Sequence, residues 1–157
     1  MKRVYAIVLV LVLCLGFAAC GQRHYVTTPG VTEGVVIKLD GSNYAEGPNH
    51  FSSEERWAAV DCVLKQFPDF KGCTLQELWY FEDWSQAGVE EHLTNGRGSI
   101  NGVAPENVIV LYSNFTTVDD PAMAEYGFNA GAEYTNWKWI VIRDSKDGDW
   151  RLDDYGY

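Results

Sequence analysis

The last part of the chain, residues 134–157, alternates large apolar and polar side chains in two runs, which is the period of a β-strand. The first run places bulky groups on both faces: Trp137, Trp139, Val141 and Arg143 on one, and Lys138, Ile140 and Ile142 on the other. Asp147-Gly148 between the runs predicts a tight hairpin turn with glycine at positive φ. Because both faces are apolar, we expect part of this strand to be covered on both sides.

Residues 52–67 have the clearest helical pattern. Ser52 and Glu55 have the spacing of a capping box. The apolar positions behind them recur every three or four residues and define one buried stripe: Ala59, Val60, Val63, Leu64 and Phe67. Pro68 then ends the helix.

Shorter patterns predict the other elements. Strands are expected over 35–39, 74–83 and 108–118, a short helix over 85–93, and a long connection over 119–133. Together with the hairpin they predict a single α+β domain over residues 35–157. Its N-terminal helix would pack across one face of a curved antiparallel sheet.

The first twenty residues resemble the signal region of bacterial lipoproteins. Lys2 and Arg3 precede an apolar run too short to span a bilayer, and the run ends in Gly-Phe-Ala-Ala-Cys20. The resemblance implies cleavage after residue 19 and a thioether-linked diacylglycerol on Cys20, which would anchor the protein at the outer face of the cell membrane. Phe17 departs from the usual leucine, and an ordinary secretory signal is the alternative. Residues 20–34 lack periodicity and are predicted to be a flexible tether.

The acidic composition narrows the possible partners. The formal net charge is −10, and removal of Lys2 and Arg3 with the signal peptide makes it −12. Such a surface disfavours nucleic acid and, apart from the acyl anchor, anionic lipid headgroups. It is compatible with cationic ligands, with divalent ions or with solubility alone.

Two cysteines would remain in the mature domain besides Cys20. In an exported protein Cys62 and Cys73 are predicted to form a disulfide, which would contribute about 3 kcal/mol on the chain-entropy estimate. The alternative is buried thiols, with Cys62 on a helix and Cys73 at the start of a strand. Their spacing fits neither a Cys-x-x-Cys redox motif nor a zinc site.

Several blocks together resemble one domain family. They are Phe51-Ser-x-Glu-Glu, Phe67-x-x-Phe70-x-Gly72-Cys73, Leu75-x-x-Leu78-Trp79-Tyr80-x-Glu82, and Trp137-x-Trp139 with Trp150 and Gly156-Tyr157. The family is a domain of unknown function found in lipoproteins of Gram-positive bacteria. The resemblance implies a cystatin-like or nuclear transport factor 2-like cone, in which a bent sheet wraps a helix. It implies no activity.

The candidate ligand pocket consists of Trp79, Glu82 and Trp139 on the concave face of the sheet. Clustered aromatic rings can stack on sugars or hold peptides, but they also fill cores. Trp79 and Tyr80 must face opposite sides of a strand. Glu82 would need a second carboxylate, such as Asp153 or Asp154, to work as half of an acid–base pair.

The sequence lacks the familiar motifs of catalysis and metal binding. His24, His50 and His92 are scattered, and the run Asp144–Asp149 has Lys146 and Gly148 where a calcium loop needs oxygen ligands. We therefore expect no catalytic residue, metal or cofactor. The leading hypothesis is a non-catalytic domain that binds a small ligand or peptide. The alternatives are a protein-interaction module for immunity or envelope assembly, and a cone-fold enzyme that uses Glu82 with a tyrosine.

Overall fold

A computed structural model of the chain describes residues 24–25, 34–40 and 50–157. One sheet contains a two-residue strand and five longer ones in sequential order: β1 His24–Tyr25, β2 Val36–Leu39, β3 Cys73–Tyr80, β4 Val108–Thr117, β5 Glu133–Ile142 and β6 Arg151–Gly156. Helix α1 spans Ser53–Gln66, α2 Glu82–Asn95 and α3 Gly98–Asn101. Short 3₁₀ turns occupy Phe67–Asp69, Pro105–Asn107 and Pro121–Tyr126. The predicted α+β class is confirmed.

The sheet is mixed, and the prediction of a wholly antiparallel sheet is wrong. β2 and β3 pair in parallel, whereas the other neighbours are antiparallel. The parallel pair arises because α1 returns the chain to the edge where β2 began. β1 lies within the predicted tether, so two of those residues belong to the sheet. Apart from Gly34 the rest of the tether, like the signal region and Cys20, lies outside the described residues.

Helix α1 begins with the predicted capping box. The Glu55 N–H donates to the Ser52 hydroxyl at 3.2 Å, and the Ser52 N–H donates to the Glu55 carboxylate at 2.8 Å. The whole predicted stripe, from Ala59 to Phe67, is buried. It packs on one side of the sheet, the α1 face, against residues that include Leu78, Tyr80, Ile109, Leu111, Phe115, Trp139 and Val141.

Helix α2 covers the opposite side of the sheet, the α2 face. There Val89 packs with a second apolar cluster: Trp79, Val108, Val110, Tyr112 and Ile142. The two faces of β5 are thus both covered, as its sequence predicts. The helix approaches β4 closely, since a Cβ on Gly88 would lie 2.9 Å from Val110 Cγ1.

The chain leaves β3 earlier than predicted. The strand ends at Tyr80 and α2 begins at Glu82, so Glu82 and Asp83 form the first turn of a helix instead of the end of a strand. Carboxylates are stabilised there by the N-terminal end of the helix dipole. The predicted short helix over 85–93 is confirmed and is longer at both ends.

The C-terminal hairpin is confirmed, but its turn differs from the prediction. The connection from β5 to β6 contains a turn in which the Gly148 N–H donates to the Ser145 carbonyl at 2.9 Å. Gly148 is not among the described residues with positive φ. An eight-residue connection does not need the mirror-image turn that a two-residue loop requires.

Three β-bulges interrupt the antiparallel pairs. The register shifts between Leu75 and Glu77 in β3, near Asn136 in β5 and at Asp153 in β6. Asn136 has φ of 56°, and its N–H donates to the Asn114 side chain at 3.1 Å. Bulges bend a strand and increase its twist, so these positions account for curvature in the sheet.

Strand β6 lies at an edge of the sheet, and side chains cover part of its outer backbone. The Asp153 carbonyl accepts a hydrogen bond from Arg97 Nη1 at 3.0 Å, and the Tyr155 N–H donates to the Asp154 carboxylate at 2.9 Å. Within the described parts of the chain, no helix is both long and apolar enough to cross a membrane.

Candidate functional site

The three residues of the predicted pocket do not converge. Trp79 lies on the α2 face and Trp139 on the α1 face, so the sheet separates them, and both are buried. The expectation that Trp79 and Tyr80 point to opposite faces is confirmed by the same clusters. Trp139 Nε1 donates to Ser113 Oγ at 2.8 Å, a bond within the core. The pocket prediction is therefore wrong.

Glu82 is the centre of a polar cluster instead. Its side chain is only 3% exposed and accepts three hydrogen bonds: from Tyr80 Oη at 2.6 Å, from His50 Nδ1 at 2.9 Å and from Gln86 Nε2 at 3.0 Å. Burial and the Glu82 carboxylate raise the pKa of Tyr80. The cluster fixes the start of α2 to the end of β3. Both Glu82 oxygens are already occupied, which leaves this carboxylate poorly placed to take a proton from a substrate.

The predicted Cys62–Cys73 disulfide is absent from the structure, where both residues are free thiols. Cys62 on α1 lies beside the backbone of Leu152 in β6, and Cys73 starts β3, with β4 and β5 between those strands. Burial raises the pKa of both thiols, to about 11 for Cys73. Protonated thiols are poor nucleophiles, so neither cysteine is suited to covalent chemistry.

A shallow groove of about 830 Å³ separates α1 from the β5–β6 hairpin, with Cys62 and Trp150 on its walls. A further aromatic surface, the aromatic end, surrounds Phe70 and Trp137. Tyr126, Tyr155 and Tyr157 are its exposed members. The rings pack tightly, with Trp137 and Tyr157 centroids 5.2 Å apart, and Phe70, Tyr126, Phe128 and Tyr155 line a cavity of about 190 Å³.

A smaller cavity lies on the α2 face beside the β6 edge and is called the His92 pocket here. Its volume is about 140 Å³. Three elements supply its walls: Gly88, Glu91, His92, Asn95 and Gly96 from α2 and its end, Lys138 and Ile140 from β5, and Asp154, Tyr155, Gly156 and Tyr157 from β6 and the residue after it. Lys138 Nζ and Glu91 Oε2 form an ion pair at 2.8 Å across the opening.

His92 gives this pocket its chemical character. The side chain is 0% exposed, and neither ring nitrogen has a hydrogen-bond partner. Nε2 lies 3.3 Å from Asp153 Oδ2, which is ion-pair range, but the carboxylate is out of line for a hydrogen bond. A buried imidazole without partners is costly unless something else bonds to it.

Two glycines hold the imidazole in place. A Cβ on Gly96 would lie 3.0 Å from His92 Nδ1, and a Cβ on Gly98 would lie 2.7 Å from Cδ2. Only residues without a side chain allow the backbone to approach the ring so closely. Nδ1 is consequently next to Gly96, which is itself part of the pocket wall.

We expect His92 to make the protein less stable in mild acid. Burial lowers the pKa of His92 despite the carboxylates nearby, so below pH 6.5 the unfolded chain takes up a proton that the folded chain does not. The contribution of His92 to the free energy of unfolding is therefore fully present above pH 6.5. It falls by about 1.4 kcal/mol for each pH unit as the pH decreases towards the pKa of the folded state. The charged groups around the ring are Glu91, Arg97, Lys138, Asp153 and Asp154.

Urea unfolding of the wild type and of His92→Asn between pH 7.5 and 5 measures this effect. As the pH falls, the unfolding free energy of the wild type should decrease more than that of His92→Asn. Parallel pH profiles would mean that His92 takes up its proton equally well in the folded protein.

Sequence reasoning missed this site for a specific reason. The buried face of α2 consists of Glu82, Ser85, Gly88, Val89 and His92, which have helical spacing but little apolar character. A search for apolar periodicity does not detect such a face. Asp153 and Asp154 were considered only as partners of Glu82, whereas the bulge in β6 directs Asp153 towards His92.

Among the described residues no group of three or more His, Cys, Asp or Glu side chains is arranged to hold a metal ion. The hydrogen-bond donors and acceptors of its side chains therefore determine what the His92 pocket can bind. Comparisons of the chain with protein-family models, with curated proteins and with solved structures give no match.

Proposed function

We propose that this protein is a lipid-anchored extracytoplasmic lipoprotein whose domain binds a small ligand reversibly in the His92 pocket. One observation carries the proposal: a cavity of about 140 Å³ whose wall includes a fully buried histidine without a hydrogen-bond partner. Ligand sites are typically concave and partly apolar, with a few convergent polar groups. Ile140 supplies an apolar part, and His92, Asp154 and Lys138 the polar part.

Binding fits this pocket better than catalysis does. The described residues of its wall include no serine, threonine or cysteine that His92 could activate. The volume corresponds to about four or five water molecules, which favours a small molecule over a peptide. The cystatin-like cone and membership of the lipoprotein domain family remain predictions.

The ligand proposal is tested by thermal unfolding of the full-length protein in detergent, followed by tryptophan fluorescence. The probes are millimolar ethanolamine, acetate, glucose and glycine. We expect at least one to raise the unfolding temperature, since a ligand at 100 times its Kd adds about 2.7 kcal/mol.

A matched pair of substitutions locates the response. Ile140→Trp places a large ring in the pocket wall and should abolish it, whereas Ile100→Trp makes the same change at a position that is 88% exposed and outside the pocket. A response that survives in Ile140→Trp, or the absence of any response in the wild type, would contradict the proposal.

The anchor is supported by the charged start, the apolar run and the small residues before Cys20. We expect the membrane fraction of expressing cells to contain a chain that starts at Cys20 and carries a diacylglycerol, as intact mass spectrometry measures. Cys20→Ser should yield a product without the mass of a diacylglycerol, because the thioether needs the cysteine sulfur. A wild-type protein that is soluble and without lipid would refute the anchor.

The aromatic end is the observation that favours the alternative of a protein-interaction module, since Tyr126, Tyr155 and Tyr157 expose large rings together. Nothing in its shape or charge identifies a partner. The small-ligand proposal is the better supported of the two.

A further inference from the structure

Among the described side chains around the His92 pocket three are acidic and two, Lys138 and Arg97, are basic. Glu91 and Asp154 are part of its wall, and Asp153 lies directly behind His92. Lys138 is the only cationic side chain among the described wall residues, and Glu91 already neutralises it at 2.8 Å. His92 itself is neutral around pH 7, because burial lowers its pKa. A pocket with this balance attracts cations and repels anions.

The unpaired polar atoms of the pocket are hydrogen-bond acceptors. Because Asp153 Oδ2 lies 3.3 Å from His92 Nε2, a proton on Nε2 avoids placing a lone pair against the carboxylate. The lone pair then belongs to Nδ1, which packs against Gly96 and has almost no accessible surface. Asp154 offers a second acceptor, since only its Oδ1 is engaged, by the Tyr155 N–H.

Size and shape limit what can satisfy these acceptors. A cavity of about 140 Å³ admits a molecule that displaces four or five waters. Ile140 offers an apolar surface to a short carbon stem.

From these features we infer that the ligand of the His92 pocket is a small organic cation with a primary ammonium group, whose N–H groups donate to the Asp154 carboxylate next to the buried His92 ring. The inference rests on the proposed function, because it names the ligand class of the same site. A bare metal ion is a poorer fit, since no suitable set of three ligands exists among the described residues.

The test is calorimetric titration of the full-length protein in detergent with ethanolamine, tetramethylammonium and acetate. Tetramethylammonium carries the charge without N–H donors, and acetate carries the opposite charge. We expect ethanolamine to bind and the other two to bind at least about tenfold more weakly, the typical loss when a charge-assisted hydrogen bond is removed.

Asp154→Asn should weaken ethanolamine binding about tenfold, while Asp149→Asn, the same change at an exposed position outside the pocket, should not. The His92 ring nitrogens give an independent readout, because ¹⁵N NMR of histidine-labelled protein should show Nδ1 shift when ethanolamine is added. This signal reports on wild-type protein, so it remains informative if Asp154→Asn fails to fold.

The outcomes distinguish the ammonium ligand class from the small-ligand function on which it rests. Binding of acetate, or equal binding of tetramethylammonium and ethanolamine, would overturn the ammonium class and leave the small-ligand function intact. Ethanolamine binding with an unchanged Nδ1 signal would overturn the placement at His92. No binding of any probe, in calorimetry and in thermal unfolding, would overturn both.

Discussion

Replacing Trp139 with alanine is expected to destabilise the domain by about 3–5 kcal/mol, which is a large part of the 5–15 kcal/mol typical of a small domain. The indole is completely buried, and its ring lies within 4.9–6.0 Å of those of Phe67, Phe70 and Tyr155. Alanine would leave a cavity in the middle of the α1 face and an unpaired Ser113 hydroxyl. Equilibrium unfolding in urea, followed by circular dichroism, measures the loss.

Trp84→Ala is the matched control for this change. Trp84 is 46% exposed, and its ring contacts only the edge of the α2 face, at Phe81 and Tyr112. We expect it to cost less than half as much. Equal costs for the two substitutions would show that the α1 face is not the main core.

Replacing Arg143 with methionine is expected to cost about 3 kcal/mol, although methionine has a similar length. The guanidinium is buried and binds in three directions: Glu55 Oε1 at 2.7 Å, Asn107 Oδ1 at 3.1 Å and the Glu106 carbonyl at 3.1 Å. It also lies 4.5 Å above the Trp150 ring. Methionine would leave the largely covered Glu55 carboxylate and two acceptors without their donor.

Arg151→Met, in the same hairpin, provides the comparison. Arg151 pairs with Asp144 at 2.8 Å, but the two side chains are 52% and 86% exposed. Exposed pairs of this kind contribute between zero and 1 kcal/mol. Chemical denaturation of both variants should therefore separate them by about 2 kcal/mol or more, and similar values would disprove a structural role for Arg143.

The elements that sequence reasoning predicted correctly are those whose local and tertiary preferences agree. Helix α1 has a capping box at its start and an apolar stripe along one side, so both signals point to the same element. Strand β5 has apolar residues on both faces because a helix covers each face. In helix α1 and strand β5 the pattern of apolar side chains is therefore sufficient to predict which faces are buried.

The errors occur where tertiary contacts override the local pattern. Glu82 and Asp83 directly follow a run of aromatic residues typical of a strand, yet they start a helix whose inner face is small and polar. The pocket of Trp79, Glu82 and Trp139 assumed one concave face, whereas the sheet has a helix on each side. The residues of the His92 pocket come from one helix and two strands, and no sequence spacing brings those together.

The protected edge of β6 has a consequence for molecules that share a membrane. Lipid anchoring, as proposed, would confine many copies to a thin layer, where neighbours collide edge-on far more often than in bulk solution. An unprotected edge strand would allow the sheets of two neighbouring copies to pair through backbone hydrogen bonds. Arg97 and the Asp154 carboxylate occupy backbone groups that such a ladder needs, and the bulge at Asp153 breaks its regular spacing. These features oppose edge-to-edge pairing of two copies through β6.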